Sequence, residues 1–440
     1  MHRLREHYTL EIDIPEIRVT VPAIVFRKRR ADGECALFSY EGQKLKISST
    51  YYIGADWIPG NKSKHWFMVE PKLNPKHDPE TSEPLAISKE EETQLKRVDV
   101  SKMLFDALSH PEVHEHTDEL FEIKFESPSI SLPKQDDLLS PLLIIRFLKV
   151  VKEIVRKGLK KSYYKINQNL YGKVKGKVLV GQTVKQNHAK NKDLHTYCRF
   201  EEFGDNGIEN RLIKKTLLFV QRYLNTFQGL NEQKFFQQTM DFIQPAFSQV
   251  SPDVELHNIK HVKFNAFYKD YNEAIRLAKM ILRRFGYNIQ AIKNQSTIDT
   301  PPYWIDMSKL FELYVLGKLK ESPYGKDIIF HQRTYGNELD FLYKANDDSV
   351  VLDAKYKPYF KDSVNHQDIR QISGYSRLRR IREKAGVSDE TMLDCVIIYP
   401  DLESENKDIT KLPGEPIKEY EKVWKIGLAL PSLSPKKNDY

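Results

Sequence analysis

Asn337-Glu-Leu-Asp340-Phe-Leu-Tyr-Lys-Ala-Asn-Asp-Asp-Ser-Val-Val-Leu-Asp353-Ala-Lys355 carries two β-rich runs on either side of a polar turn, Asn346-Asp-Asp-Ser349. Short polar side chains close hairpins because they tolerate a tight backbone and bond to it locally. A register symmetric about residues 346 and 347 sets Asp340 opposite Asp353. Side chains alternate along a strand, so Asp353 and Lys355 share a face. Two carboxylates placed opposite each other repel. A divalent cation between them removes the conflict, and Mg2+, with Mn2+ as its substitute, suits a site of few carboxylates that keeps room for water. Lys355 then points at the same spot. There an ammonium orients or helps deprotonate an attacking water, or holds developing phosphate charge. A neighbouring cation is expected to lower the pKa of that lysine. Asp-x-Lys alone is common, and a surface hairpin with an ordinary salt bridge is the plain reading. What singles this one out is the facing Asp340 and the apolar run Val350-Val-Leu352 before it.

The flanks strengthen the pattern. Upstream, Met307-Ser-Lys-Leu-Phe-Glu312-Leu-Tyr-Val-Leu reads as a helix from Ser308 to Lys320, with Leu310, Tyr314 and Leu316 or Gly317 toward a core. Glu312 in so apolar a stretch either lies on the exposed stripe or is kept for metal or water contact. Downstream, His366-Gln-Asp368-Ile-Arg-Gln371-Ile-Ser-Gly-Tyr375 opens a helix on which Gln371 and Tyr375, four apart, share one face. Arg370, Arg377, Arg379, Arg380 and Arg382 give that helix a cationic coat, suited to phosphates or simply to water. Leu393-Asp-Cys-Val-Ile-Ile-Tyr and Val423-Trp-Lys-Ile-Gly-Leu-Ala-Leu follow as buried strands. The order predicts an α/β domain over residues 296–432, a mixed sheet flanked by helices, with 433–440 a disordered tail.

The rest of the chain divides in two. Residues 1–135 read as a β-rich domain through Ile17-Arg-Val-Thr-Val, Lys44-Leu-Lys-Ile and Trp66-Phe-Met-Val, with a polar, acidic loop over residues 76–95. A short helix, Val100 to Leu108, and a strand, Phe121 to Phe125, complete it. Residues 136–295 read as mainly helical and basic. Ser140-Pro141 opens a helix to Lys157, Ser as cap and Pro in the first turn. Gly172-Lys-Val-Lys-Gly-Lys-Val-Leu-Val alternates like a strand, and helices follow at Ile208 to Phe227, Glu232 to Ile243 and Tyr271 to Phe285.

Charge and cysteine content narrow the class. The net charge is +8, from 69 basic and 61 acidic residues, and 14 Lys or Arg against one acid fall between Arg146 and Lys192. Such a block neutralises phosphates, or is a solvated helix face with a basic loop. Cys35, Cys198 and Cys395 match no metal-ligand spacing, which fits a reduced interior. The apolar run at Pro141-Leu-Leu-Ile-Ile stops at Arg146, and the first residues lack a signal core, so a cytoplasmic protein with no membrane partner is expected.

Glu312 on a helix, Asp340 on a strand, Asp353-Ala-Lys355 on the next, then Gln371-x-x-x-Tyr375 on a helix: this order resembles the PD-(D/E)XK nuclease superfamily. More narrowly it resembles McrC, the nuclease subunit of McrBC-type restriction systems, including their LlaJI-like branch. Leu352-Asp-Ala-Lys355-Tyr-Lys and Glu338-Leu-Asp340 carry the likeness, with Gly172-Lys-Val-Lys-Gly-Lys, Glu209-Asn-Arg211, Tyr52-Ile-Gly54 and Val69-Glu-Pro-Lys72 upstream. Two departures stand out: Leu339 precedes Asp340 where the family often has Pro or Thr, and an acidic insertion occupies residues 76–95. The resemblance implies a Mg2+-dependent endonuclease acting on double-stranded DNA. Asp340, Asp353 and the Ala354 carbonyl would hold the cation, Glu312 a second ion or water, Lys355 the attacking water, and Gln371 and Tyr375 would brace the site. It also implies an McrB-like AAA+ GTPase oligomer as partner, contacted through the N-terminal and middle regions. No Gly-x-x-x-x-Gly-Lys-Ser/Thr loop occurs, so the chain itself is not expected to bind nucleotide through one. A non-catalytic adaptor for the motor and a stand-alone repair nuclease remain the alternatives.

Overall fold

The computed structural model describes residues 2–433 other than 14–22, 25–34, 42–43, 59–64, 74–87, 89, 92–94, 96, 109, 118–119, 134–136, 227–233, 255–268, 285–296, 335–336, 346–347, 362–363 and 388–390. The chain divides into two units, Met1–Leu138 with Asp299–Tyr440, and Leu139–Ile298.

The first unit is mixed α/β. Its larger sheet runs, in spatial order, Ile328–Thr334, Asn337–Tyr343, Val350–Ala354, Asp394–Pro400, Val423–Leu428 and Glu415–Pro416. The hairpin has the register read from the sequence: Phe341 pairs with Leu352, Leu342 with Val351 and Tyr343 with Val350. One step further along that register, Asp340 faces Asp353. Residues 346 and 347, where the turn was placed, lie outside the described residues. Val350–Ala354, Asp394–Pro400 and Val423–Leu428 pair in parallel. Strands in a parallel arrangement are covered on both faces, which is why the first two read as unbroken apolar runs. Ile369, Ile372 and Ile381 from the following helices pack with Val351, Cys395 and Ile397. Those helices are two, His366–Ser376 and Arg379–Ala385, where the sequence suggested one. The arginine coat is therefore split between them. Arg382 is half-buried and donates to the Thr391 carbonyl at 2.8 Å, a structural contact.

A second sheet has the order His2–Arg5, Trp66–Glu70, Tyr52–Trp57, Tyr303–Asp306, Phe121–Ile123. Tyr303–Asp306 is antiparallel to both of its neighbours, which come from the N-terminal third. Trp304, 1 % exposed, lies against Phe67 and donates through Nε1 to Asp56 Oδ2 at 2.9 Å. Gly54 makes the close approach feasible: its φ is +151°, and a Cβ there would fall 2.0 Å from the Tyr303 carbonyl oxygen. The expected separation of residues 1–135 from 296–432 therefore gives way to one unit. A four-residue strand whose hydrogen-bond partners lie far away in sequence leaves no local sign of where it pairs. The strands at Lys44–Ser49 and Trp66–Glu70 are present as read. Ile17-Arg-Val-Thr-Val, most of the 76–95 loop and residues 434–440 lie outside the described residues.

The second unit holds the helices Leu139–Lys157, Ile208–Thr226, Lys234–Ile243 and Lys269–Arg284, each within two residues of its predicted ends. Asn210, 1 % exposed, ties them: its Nδ2 donates to the carbonyls of Lys160 and Asp205, and its Oδ1 accepts from the Tyr271 hydroxyl at 2.7 Å. The strand expected over Gly172-Lys-Val-Lys-Gly-Lys-Val-Leu-Val shrinks to Lys177–Val178, with a helix, Val180–Gln186, beginning at its end. Gly172 and Gly176 instead take left-handed φ of +63° and +69°, and at Gly176 a Cβ would meet the Arg199 carbonyl at 2.4 Å. The long strands of this unit are Ser162–Tyr171 and His195–Gly204, paired antiparallel. Much of both faces is open to water, so they lack the alternating apolar pattern that reveals a half-buried strand. All three cysteines are free and buried. Among the described residues, no helix is long and apolar enough to cross a membrane.

Candidate active site

The first unit gathers every site residue read from the sequence. Val350-Val-Leu352 is buried and anchors its strand, so that Asp353, 2 % exposed, enters the protein at the end of an apolar run. Asp340 reaches it from the neighbouring strand. Its Oδ2 accepts the Ala354 backbone N–H at 2.9 Å, which fixes the two strand ends together. Glu312 comes from the helix Met307–Glu321, started by Asp306, whose side chain caps the Lys309 N–H at 2.9 Å. Gln371 and Tyr375 come from the helix His366–Ser376, started by Asn365, which accepts from the N–H groups of Gln367 and Asp368.

Lys355 is the hub. Its Nζ lies 2.8 Å from Asp353 Oδ2 and donates to Gln371 Oε1 at 2.9 Å. Gln371 in turn donates through Nε2 to the Tyr375 hydroxyl at 2.8 Å. The contact with Asp353 is a close ion pair made to a buried carboxylate oxygen. Burial alone would lower the Lys355 pKa, but Asp353, Asp340 and Asp368 together raise it above the ordinary lysine value. The fall expected from the sequence was for a lysine beside a bound cation; the rise here comes from the protein's own charges. Protein charges alone leave Lys355 a firmly protonated donor.

The acids show the opposing strain. Desolvation first, and then the charges of Asp353 and Glu312, push the Asp340 pKa well above the usual range, against Lys355 and the Ala354 N–H. Desolvation also raises Asp353, which Lys355 only partly offsets. Glu312 differs. Burial pushes it up, but His331 and Lys309 outweigh that and hold its carboxyl below the usual value. Lys309 Nζ donates to both its oxygens, at 3.0 and 3.1 Å, and His331 Nε2 makes a short contact to Oε1. Glu312 thus lies between Lys309 and His331 rather than on the exposed stripe that was one of its two readings from the sequence.

His331 and Lys309 escaped the sequence reading. A signal for His331 was available: Gly336 is a turn-favouring residue between two β-rich runs, and a register symmetric about residues 335 and 336 puts His331 across from Asp340. Two further pairs border the site. Lys357 Nζ binds the Asp368 carboxylate at 2.8 and 3.0 Å, and the Tyr356 hydroxyl donates to Glu6, at 3.1 Å to Oε2.

Among the described residues, no cluster of three or more His, Cys, Asp or Glu side chains is arranged to hold a metal ion. The pair Asp340 and Asp353 nevertheless suits a hard divalent cation. Both are oxygen donors, their ionised forms are disfavoured beside each other, and the buried Asp353 Oδ2 is already matched with one positive charge, the Lys355 ammonium.

No curated protein sequence matches the chain. Solved structures with some likeness include a refined half-complex from a tetradecameric assembly of Thermococcus gammatolerans McrB AAA+ hexamers with bound McrC. The identity is 16%, covering 97% of this chain and 94% of that one, at a TM-score of 0.36. Another is the cryo-EM structure of the Thermococcus gammatolerans McrBC complex, at 15% identity over 73% of this chain and 87% of that one, TM-score 0.26. Over residues 69–400 the sequence matches the family model of the McrBC 5-methylcytosine restriction system component, and the chain belongs to that family.

Proposed function

We propose that this chain is the McrC-like endonuclease subunit of its restriction system, a PD-(D/E)XK enzyme that cleaves double-stranded DNA in the cytoplasm when driven by an AAA+ GTPase partner. The observation that carries the reading is the convergence of Asp340, Asp353 and Lys355 at one buried point, with Gln371 and Tyr375 fixing the lysine. Asp340, Asp353 and the Ala354 carbonyl would hold Mg2+, or Mn2+ in its place. A bound cation supplies Lewis acidity toward a phosphate oxygen and lowers the pKa of water. Lys355, held in place by Gln371, directs its protons at the phosphate or at the attacking water and stabilises charge that develops there. Tyr375 keeps the Gln371 amide oriented so that its oxygen faces the lysine. Asp353 neutralises the ammonium until substrate arrives. Arg370, Arg377, Arg379 and Arg380 are exposed around this region and suit the DNA backbone.

The test uses the purified chain and plasmid DNA, with Mg2+ or EDTA, and with or without an McrB-like GTPase and GTP. Cleavage that needs Mg2+, the partner and GTP together is expected, and Asp353→Ala and Lys355→Ala are expected to abolish it while still binding the partner. Cutting without nucleotide would make the chain a stand-alone nuclease. Stimulated GTP hydrolysis with no cutting under any condition would make it an adaptor.

A further inference from the structure

His331 occupies an unusual place in its strand. Ile328–Thr334 pairs antiparallel with Asn337–Tyr343, Phe330 facing Phe341 and Gln332 facing Leu339. The same register on both sides puts His331 across from Asp340, yet the two do not pair, and His331 has φ +52°. Nothing has been inserted, so this is no bulge. One residue alone leaves the strand conformation for the left-handed region. That region is sterically costly for a residue with a Cβ, though His visits it more readily than most. Such outliers persist where the surroundings over-determine them, and they gather at functional sites.

The imidazole shows what the break achieves. With its proton on Nε2 it donates to Glu312 Oε1, and Lys309 Nζ lies 3.1 Å from the same nitrogen. Nδ1 lies 3.2 Å from Glu338 Oε1. The ring stacks on Phe330, centroids 3.7 Å apart, and meets His116 edge-on at 5.7 Å. Both nitrogens therefore reach carboxylates, and two aromatic neighbours limit where the ring can turn. Lys309 alone could neutralise Glu312, but a flexible ammonium sets charge without setting direction. The imidazole adds the direction.

We propose that His331 is a positioning residue of the cleavage centre: the left-handed break in its strand turns the imidazole onto Glu312 and holds that carboxylate in one orientation, shaping the pocket in which the divalent cation binds. The inference rests on the cleavage reading above. It assigns Glu312 a fixed orientation rather than a freely recruited one, through a residue that contacts the acid on the helix and lies across from Asp340 in the strand register.

His331→Gly keeps the backbone conformation and deletes the ring. His331→Asn keeps the conformation and a donor amide. Each is compared with the wild type and with Asp353→Ala for plasmid cleavage in the reconstituted system, and, without partner or DNA, for Mn2+ affinity by electron paramagnetic resonance. Circular dichroism checks the fold. We expect His331→Gly to lose roughly 10–100-fold in cleavage and in Mn2+ affinity. Added imidazole should restore part of the cleavage, and His331→Asn should fall in between. A His331→Gly protein within about twofold of wild type in both measurements overturns the proposal. So does a loss that neither imidazole nor the Asn variant relieves, because the ring would then be serving the fold. Wild-type protein that binds Mn2+ through Asp353 but cuts no DNA would refute the nuclease reading, while the affinity measurements would still decide the role of His331.

Discussion

Replacing Asp340 with Asn should make the metal-free protein more stable at neutral pH and less responsive to divalent cations. The substitution keeps the shape of the side chain and an oxygen to accept the Ala354 N–H. What changes is charge. Opposed carboxylates about 5 Å apart repel by about 3 kcal/mol at an effective dielectric near 20. Lys355 attracts Asp340 and returns part of this, leaving a net gain on the order of 1–2 kcal/mol for the Asn variant, or about 1–3 °C in Tm. The pH dependence follows from the direction of the shift. The native protein raises the Asp340 pKa well above its unfolded value, so it binds the proton more tightly than the unfolded chain does. That stabilisation is fully present below the ordinary aspartate range, about pH 4, and is lost as pH rises through the raised native pKa. The variant's advantage should therefore be largest near pH 8 and shrink toward zero as pH approaches 4. A cation at ten times its Kd adds about 1.4 kcal/mol to the wild type and less to the variant, which narrows or reverses the difference. Scanning calorimetry of both proteins in EDTA across this pH range, then in Mg2+, reads all three effects. An Asn variant less stable than wild type in EDTA at pH 8, or an equal response to Mg2+, would refute the reasoning.

Other outcomes follow from the same structure. Gln371→Ala removes the acceptor that fixes Lys355 and the donor to Tyr375; cleavage should fall roughly 10–100-fold with DNA binding, measured by filter retention, nearly unchanged. Trp304→Ala empties a fully buried site between the two ends of the chain and should cost about 3–5 kcal/mol in urea denaturation. Gly54→Ala drives a methyl into the Tyr303 carbonyl and should leave the protein insoluble on expression. Residues 296–440 expressed alone should show no cooperative melting transition, because the strand Tyr303–Asp306 would lack both its neighbours.

How much of this was legible in the sequence depended on distance along the chain. The hairpin register was readable, because a polar turn and two apolar runs determine it within about 20 residues. Asp340, Asp353 and Lys355 followed from alternation alone, and Gln371 with Tyr375 from helical spacing. His331 lay within reach through the turn-favouring Gly336, yet no local pattern encodes the left-handed break in its backbone. The fall in the Lys355 pKa read from the sequence belongs to a site that holds a cation, whereas the protein's own carboxylates raise it. The union of the N-terminal third with the C-terminal third stayed hidden for a simple reason. Tyr303–Asp306 is short, apolar and flanked by nothing that names its partners. In the middle unit, the two longest strands bury only the small cluster of Leu170, Cys198 and Phe200, too few apolar positions for a sustained period-two signal.

The slot that Tyr303–Asp306 fills has a consequence for synthesis. The strands on its two sides, Tyr52–Trp57 and Phe121–Ile123, leave the ribosome long before it does. At about 5–20 residues per second, the roughly 180 residues between Ile123 and Tyr303 take on the order of 10–35 s to make. Throughout that interval the nascent sheet presents two raw hydrogen-bonding edges that invite pairing with any other extended chain. Chaperone demand, and the yield of active subunit during a burst of expression, should therefore track elongation speed across the middle unit more than the intrinsic stability of the finished protein.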